Sequence, residues 1–250
     1  MDDSGSWRGT MRSFPPQVRH ELAGWVLFWA DLEPIDCPAE TLAALRRDVV
    51  ARVRASFDLE RLSEHATVAG VRRLFRLAGC DPTRHRPASE AMLRRLLKGE
   101  ELPAIHPLVD LNNCLSAELA VPVCMMDRER LAPPFVWRAG QRGESMMSLK
   151  GPFNVDAKPL LLDQEGPVDV PITGSERVKI TSATRRAWLV AYLPAGVLDP
   201  PARRSHALNP ACRSARRPPS RSRYDTARRL IGNAERDQRS AQALWARLVT

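Results

Sequence analysis

In the first hundred positions, apolar residues recur at the spacing of helices. The segment DCPAETLAALRRDVVARVRASF, residues 36–57, places Leu42, Leu45, Val49 and Val53 on one helical face. The segment RPASEAMLRRLLKG, residues 86–99, has a proline at its start and a glycine at its end, as helices favour. Ahead of both, the run WVLFW, residues 25–29, is typical of a strand. This half of the chain is therefore predicted to be mainly helical.

From about residue 134 the pattern changes to short apolar runs. These are FVWR, SMMSL, PLLLD, VDVPI, RVKI and AWLVAYL, separated by the turn-forming stretches GQRGE, KGPFN, DQEGP and TGSE. Runs of this length between glycine- and proline-containing turns predict strands. Helices followed by strands predict an α+β fold rather than a parallel α/β sheet.

The composition shifts after Leu198, where the chain becomes rich in Pro, Arg and Ser. Residues 199–250 contain twelve Arg and four acids, whereas residues 1–198 contain 26 basic and 25 acidic residues. The net charge of +9 therefore belongs almost wholly to the tail. We expect a flexible segment over residues 1–18, a folded domain over 19–198 and a disordered tail over 199–250. The tail could contact RNA phosphates or serve only solubility.

The five cysteines show neither a C-x-x-C pair nor an even count. This pattern predicts reduced thiols rather than disulfides, and no metal site. The sequence also indicates no cofactor. No apolar run approaches the length of a membrane span, and the first residues lack the order of a signal peptide. We expect a cytoplasmic protein without a membrane partner.

The stretch GCDPTRHRPASEAMLRRLLKGEELP, from Gly79, admits two interpretations. Arg84, Arg86, Arg94 and Arg95 could bind phosphate or carboxylate groups, since guanidinium ions bind such anions bidentately. Alternatively, the stretch is a turn and a helix whose basic residues complement the helix dipole. On physical grounds alone the second interpretation is favoured. A catalytic role for His85 or His106 is the minority interpretation, because neither has a recognisable partner in the sequence.

The apolar stretch LVDLNNCLSAELAVPVCMMD, residues 108–127, contains an amide pair, Asn112 and Asn113. Amides in an apolar environment cost stability unless they find hydrogen-bond partners. Cys114 and Cys124 could act as nucleophiles only beside a base or a helix N-terminus, and the sequence shows neither. Small buried apolar residues are the favoured interpretation for both.

Several of these segments together resemble one family. RPASEAMLRRLLKGEELPAIHPLVDLNN, then DRERL, RGE and PLLLDQEGPVDVPITGSE, are similar to the B3/B4 domain of bacterial phenylalanyl-tRNA synthetase β subunits. They resemble still more closely the free-standing proteins built from that domain alone. The resemblance implies an α+β fold with a β-sandwich-like core flanked by helices. It also implies a pocket that hydrolyses mischarged aminoacyl-tRNA without a metal or a nucleophilic side chain.

The resemblance implies a pocket at specific positions. The family's Thr-Asn pair falls on Asn112 and Asn113, and the family's histidine falls on Cys124. The family's Ala-Gly pocket floor falls near Val170 and Pro171. Thr173 and Gly174 would shape the pocket. Apart from the resemblance, Glu144 or Glu176, which lie at strand-connecting turns, could line its mouth. In the synthetase family, a pocket glutamate forms a hydrogen bond with the hydroxyl group of a mischarged tyrosine. Its position falls near Val190 or Ala191, so the glutamate is absent and tyrosine is not the expected substrate.

The leading functional hypothesis is a trans-editing factor that binds tRNA and hydrolyses a mischarged aminoacyl ester. Arg84, Arg86, Arg94 and Arg95 would contact tRNA phosphates. The alternative is a non-catalytic module that binds RNA or an amino acid. Ligase activity is not expected, because the chain carries no adenylate-forming motif.

Overall fold

The protein is described by a computed structural model that covers residues 11–13, 16–32 and 39–195. In these residues the helices are α1 (Ala39–Ser56), α2 (Ala66–Leu77), α3 (Ala88–Leu97) and α4 (Pro107–Leu119). Short 3-10 turns span Leu62–Glu64, Arg128–Arg130 and Glu176–Val178. The strands are β1 (Met11–Ser13), β2 (Val18–His20), β3 (Trp25–Leu32), β4 (Val123–Asp127), β5 (Phe135–Ala139), β6 (Ser145–Ser148), β7 (Gly151–Asn154), β8 (Pro159–Asp163), β9 (Gly166–Val170), β10 (Thr173–Gly174) and β11 (Ala187–Pro194).

The strands form two larger sheets and one hairpin. The first sheet has the order β1-β3-β11-β4, and all its pairs are antiparallel. The second has the order β10-β9-β8-β5-β2, in which only the β2–β5 pair is parallel. Strands β6 and β7 form the hairpin. The predicted α+β class is confirmed.

The main core lies between the two larger sheets, as in a sandwich. Trp25 of β3 meets Trp137 of β5 edge to face, with ring centroids 5.3 Å apart. Trp137 in turn stacks on Tyr192 of β11 at 5.0 Å. Apolar residues of α2 and α4 complete this core, while a second cluster joins α1, α3 and α4. The helices therefore flank the sheets, and α4 contributes to both clusters.

Both predicted helices are present, as α1 and α3. Residues 33–38, which include the expected start of the first helix, lie outside the described residues. The second helix begins directly after Pro87 and ends before Gly99, whose φ of +97° explains why a glycine follows. The predicted strand at Trp25 is also confirmed, and it extends to Leu32.

The β-rich half departs from prediction at three places, one of which is the expected turn TGSE, where Thr173–Gly174 is strand β10. The run RVKI was expected to be a strand, but its first two residues lie in the 3-10 turn Glu176–Val178, because the Ser175 side chain accepts from the Arg177 amide and starts a turn. The stretch KGPFN was expected to be a turn, yet Gly151–Asn154 is strand β7, paired with β6. The turn at Ser175 comes from a local side-chain cap, whereas strands β7 and β10 form because each pairs with a neighbouring strand.

Strand β1 lies inside the N-terminal segment that was expected to be loose. Its backbone pairs with β3, from Met11 opposite Leu32 to Ser13 opposite Ala30. The tail predicted over residues 199–250 lies outside the described residues. Within the described part of the chain, no helix combines the length and apolarity needed to cross a membrane.

Candidate functional site

A cavity of about 360 Å³ opens between helix α4 and the edges of both larger sheets. Its lining is mainly apolar. The structure brings together on it seven of the eight residues predicted for a pocket: Asn112, Asn113, Cys124, Val170, Pro171, Thr173 and Gly174. The eighth, Glu144, is not among the lining residues. Its carboxylate instead accepts two hydrogen bonds from Arg138, at 2.6 and 2.8 Å, and these hydrogen bonds lower its pKa.

One face of α4 supplies the polar wall of the cavity. Val109, Asn112, Asn113 and Ser116 have the spacing of neighbours on a helix surface, and all four line the cavity. The amide pair is only partly buried, whereas Leu111, Cys114 and Leu115 on the other faces are buried in the protein core. The Oδ1 atom of Asn112 is buried without a hydrogen-bond partner among the described residues. A buried acceptor of this kind calls for a donor from water or a ligand.

The start of α4 is held in place by hydrogen bonds to the chain just before it and by an ion pair with α1. The Asp110 carboxylate accepts from the Ile105 and His106 amides, at 2.8 and 3.3 Å, and pairs with Arg46 of α1. The His106 imidazole caps the helix by accepting from the Leu108 amide at 3.2 Å. His106 therefore has a structural role here, and these contacts fix the direction in which the amide pair points.

A buried polar cluster that sequence reasoning missed forms another part of the cavity wall. Tyr192 of β11 donates from its hydroxyl to Oδ2 of Asp169 on β9, at 2.6 Å, so this bond joins the two larger sheets. Cys124 of β4 lies beside Asp169, and all three residues line the cavity. Burial raises the pKa of Asp169 to about 7, although hydrogen bonds from Tyr192 and Cys124 oppose that rise. An acid inside the apolar run PVDV was the available signal, because an unpartnered acid there would be costly.

Neither cysteine of the stretch 108–127 is suited to nucleophilic attack. Burial raises the pKa of Cys114 to about 12 and that of Cys124 well above its ordinary value, with Asp169 adding to the effect. Both thiols therefore stay protonated at neutral pH. Within the described residues, no group of three or more His, Cys, Asp or Glu side chains is arranged to hold a metal ion.

The arginines predicted to contact phosphates divide into two pairs. Arg86 and Arg94 form ion pairs with Glu90, at 3.5 and 3.1 Å, and the Glu90 side chain is 1% exposed. Arg72 adds a third contact to the same carboxylate at 2.9 Å. Arg84 and Arg95 are exposed, and neither forms a salt bridge in the described part of the chain. The first pair thus neutralises a buried acid, and the second is available to solvent.

His85 lies between Arg84 and Arg86 in the chain and outside the cavity lining. Burial lowers its pKa, and the nearby Lys158 and Arg84 lower it further. A neutral imidazole away from the cavity is consistent with the favoured, non-catalytic interpretation of this residue.

An α+β sandwich with a cavity walled by a helical amide pair is the class of domain that fold and site define. The sequence model of the B3/4 domain family matches residues 70–212, more than half of the chain. The protein belongs to the B3/4 domain family.

Two bacterial relatives carry a related segment. The phenylalanine–tRNA ligase β subunit of Bartonella henselae is 31% identical over 109 residues, which are 42% of this chain and 14% of that subunit. The same subunit of Bartonella quintana is 29% identical over 108 residues, 42% of this chain and 13% of the subunit. The matched segment is thus a small part of each relative.

A solved structure with local similarity is the N-terminal fragment of the phenylalanyl-tRNA synthetase β subunit from Pyrococcus horikoshii. It has a TM-score of 0.27 and 21% identity, and the match covers 29% of this chain and 28% of that one.

Proposed function

We propose that this protein is a trans-editing factor that binds tRNA and hydrolyses a mischarged aminoacyl ester. The observation that carries the proposal is the cavity lined by Asn112 and Asn113, with an unpartnered amide oxygen. The membership of the B3/4 domain family and the relationship to phenylalanine–tRNA ligase β subunits support it. The cavity volume of about 360 Å³ also lies in the range of small-molecule sites.

In this proposal the side chains position the reactants and do not form a covalent intermediate. The unpartnered oxygen of Asn112 accepts a hydrogen bond from the amino group or the ribose hydroxyl of the aminoacyl end. Asn113, one residue further along the helix, orients the ester. Water attacks the ester carbonyl carbon, the bond to the ribose oxygen breaks, and a proton passes to that oxygen. An aminoacyl ester is already activated, so orientation of water can supply much of the rate.

The tRNA itself would be held outside the cavity. Arg84 and Arg95 are the better candidates of the four arginines, since both are exposed and free of salt bridges in the described residues. Arg86 and Arg94 would take part only by sharing their charge between Glu90 and a phosphate. This arrangement predicts a modest, salt-dependent affinity for tRNA.

A deacylation panel of mischarged tRNAs tests the proposal. We expect at least one ester to be cleaved faster than in buffer, and Asn113→Ala to slow that cleavage by about 100-fold, the effect of a misplaced reactant. Cys124→Ser should retain cleavage, because the thiol is not the nucleophile. Asn154→Ala is the matched control, since this exposed amide on β7 lies outside the cavity lining. Cleavage of no ester above the buffer rate would refute the enzymatic function.

One observation favours the alternative, a module that binds RNA or an amino acid without turnover. No histidine lines the cavity in the part of the chain that the structure describes, and Cys124 lines it at the position where the resemblance implies the family's histidine. This alternative predicts saturable binding of tRNA or of an amino acid at the cavity, lost in Asn113→Ala, with no deacylation of any ester.

A further inference from the structure

Asp169 is a carboxyl group enclosed in an otherwise largely apolar part of the cavity. The residue is 2% exposed, and Val170, Pro171 and Leu149 line the cavity around it. Its Oδ2 atom accepts the Tyr192 hydroxyl at 2.6 Å. Its other donors are the backbone amide of Val170 and the thiol of Cys124, and a thiol is a weak hydrogen-bond donor. The carboxyl group therefore retains capacity to accept a stronger hydrogen bond.

The second oxygen of Asp169 faces space that a side chain at position 174 would otherwise occupy. A Cβ atom built on Gly174 would lie 3.5 Å from Oδ1 of Asp169, 3.7 Å from Cδ1 of Leu149 and 3.8 Å from Sγ of Cys124. Because residue 174 is glycine, this space between the carboxyl oxygen and its neighbours stays open to the cavity. An atom of a ligand can occupy it within reach of Oδ1.

We propose that Asp169 is the specificity-determining residue of the cavity and selects aminoacyl groups whose side chain ends in a hydrogen-bond donor. The inference rests on the proposed function, because it assigns the substrate class of the same cavity. A hydroxyl or an ammonium group that reaches Oδ1 replaces the weak thiol contact with a full hydrogen bond. A purely apolar side chain of the same length leaves the carboxyl group without that partner. Sites built around a buried polar group reject analogues that lack its partner.

Asp169 lies on a different strand from the one on which the resemblance places the synthetase's pocket glutamate. The positions on β11 that correspond to the synthetase glutamate hold Val190 and Ala191, and Val190 pairs directly with Cys124 of β4. Asp169 approaches Cys124 from β9, in the other large sheet. In this inference Asp169 supplies an acid that the β11 positions lack, so a hydroxyl-bearing side chain is among the candidate substrates.

Binding of non-hydrolysable aminoacyl adenosines, with an amide in place of the ester, tests the inference directly. The tyrosine and phenylalanine conjugates form one pair and test a hydroxyl group. The lysine and norleucine conjugates form the other pair and test an ammonium group. Kd values are measured by isothermal titration calorimetry on the full chain. Above the Asp169 pKa of about 7, where the carboxyl group is ionised, we expect the donor-bearing member of at least one pair to bind about 10- to 100-fold more tightly, as one hydrogen bond to a charged group provides.

Two cavity variants and one control assign that preference to Asp169. Asp169→Asn keeps the shape but turns its carbonyl oxygen toward Tyr192 and its amino group toward the cavity, so the preference should vanish or reverse. Gly174→Ala places a methyl group beside Oδ1 and should weaken binding of the donor-bearing member by about tenfold. Asp163→Asn is the control, because that carboxyl is also buried but pairs with Arg177 at 2.6 Å, outside the cavity lining. Its preference should equal that of the wild type.

The outcomes separate this inference from the proposed function. Equal binding within both pairs, failure of all four conjugates to bind, or a preference that survives Asp169→Asn and Gly174→Ala would each overturn the role of Asp169. Deacylation of mischarged tRNA together with any of these results would leave the editing function intact. A preference that depends on Asp169, without any deacylation, would instead support the selection of side chains and refute the editing function.

Discussion

The strongest quantitative prediction concerns the pH dependence of folding stability caused by Asp169. Burial raises the pKa of this carboxyl from 3.8 to about 7. The folded protein therefore holds a proton on Asp169 at pH values where the unfolded chain has released it. The stability contributed by the protonated carboxyl is fully present below about pH 4 and is lost as the pH rises through 7.

The magnitude follows from the change in pKa. A rise from 3.8 to about 7 corresponds to roughly 4 kcal/mol of unfolding free energy lost between pH 4 and pH 8. Asp169→Asn removes this titration and retains an oxygen that can accept from Tyr192. The unfolding free energy of the variant, minus that of the wild type, should therefore increase by roughly 4 kcal/mol over the same range. The neighbouring groups Cys124 and Tyr192 stay neutral there, since burial raises the pKa of both.

Urea unfolding followed by tryptophan fluorescence, at half-unit steps from pH 4 to pH 8, measures this difference. Tyr192→Phe provides a second test, because the lost hydroxyl normally lowers the pKa of Asp169. In the Tyr192→Phe protein, the fall in unfolding free energy that accompanies ionisation of Asp169 should therefore extend to higher pH. A difference between Asp169→Asn and the wild type that stays constant from pH 4 to pH 8 would show that the folded protein does not hold the proton, and would refute the reasoning.

Three further predictions test the packing around the site and the proposed contact with tRNA. Glu90→Gln should lower the unfolding free energy by about 3–5 kcal/mol, because it leaves three arginines without their buried carboxylate, whereas Glu101→Gln at an exposed ion pair should change it by less than about 1 kcal/mol. Gly140→Ala should lower it by about 3 kcal/mol or yield insoluble protein, since its Cβ would lie 1.8 Å from the Val155 carbonyl oxygen. Arg95→Ala should weaken tRNA binding and reduce the slope of log K against log salt concentration by about one, as measured by filter binding.

Sequence periodicity was most informative where one face of an element is buried and the other is exposed. Helices α1 and α3 have this pattern, and both were predicted; α2 has it as well, with Val68, Val71 and Leu74 buried, but was not predicted. Helix α4 is buried on several sides, from Leu111 through Cys114 to Ala117, so its apolar residues do not form a single stripe. For this reason the stretch that carries the amide pair could not be assigned to a helix from its pattern. Strand β7 was missed because its pairing with β6 depends on a partner rather than on its own composition.

The candidate site was predictable to the extent that its chemistry lies within one segment. Asn112 and Asn113 stand side by side in the sequence, and the structure places both on the cavity wall. Asp169 and Tyr192 are 23 positions apart on strands of different sheets, so the hydrogen bond between them has no local signature. A buried acid in an apolar strand is costly until a distant donor is identified. The fold therefore does more than carry the amide pair: by packing β9 against β11 it retains a carboxyl group in the cavity, and in the inference drawn above that group rather than the amides distinguishes one aminoacyl side chain from another.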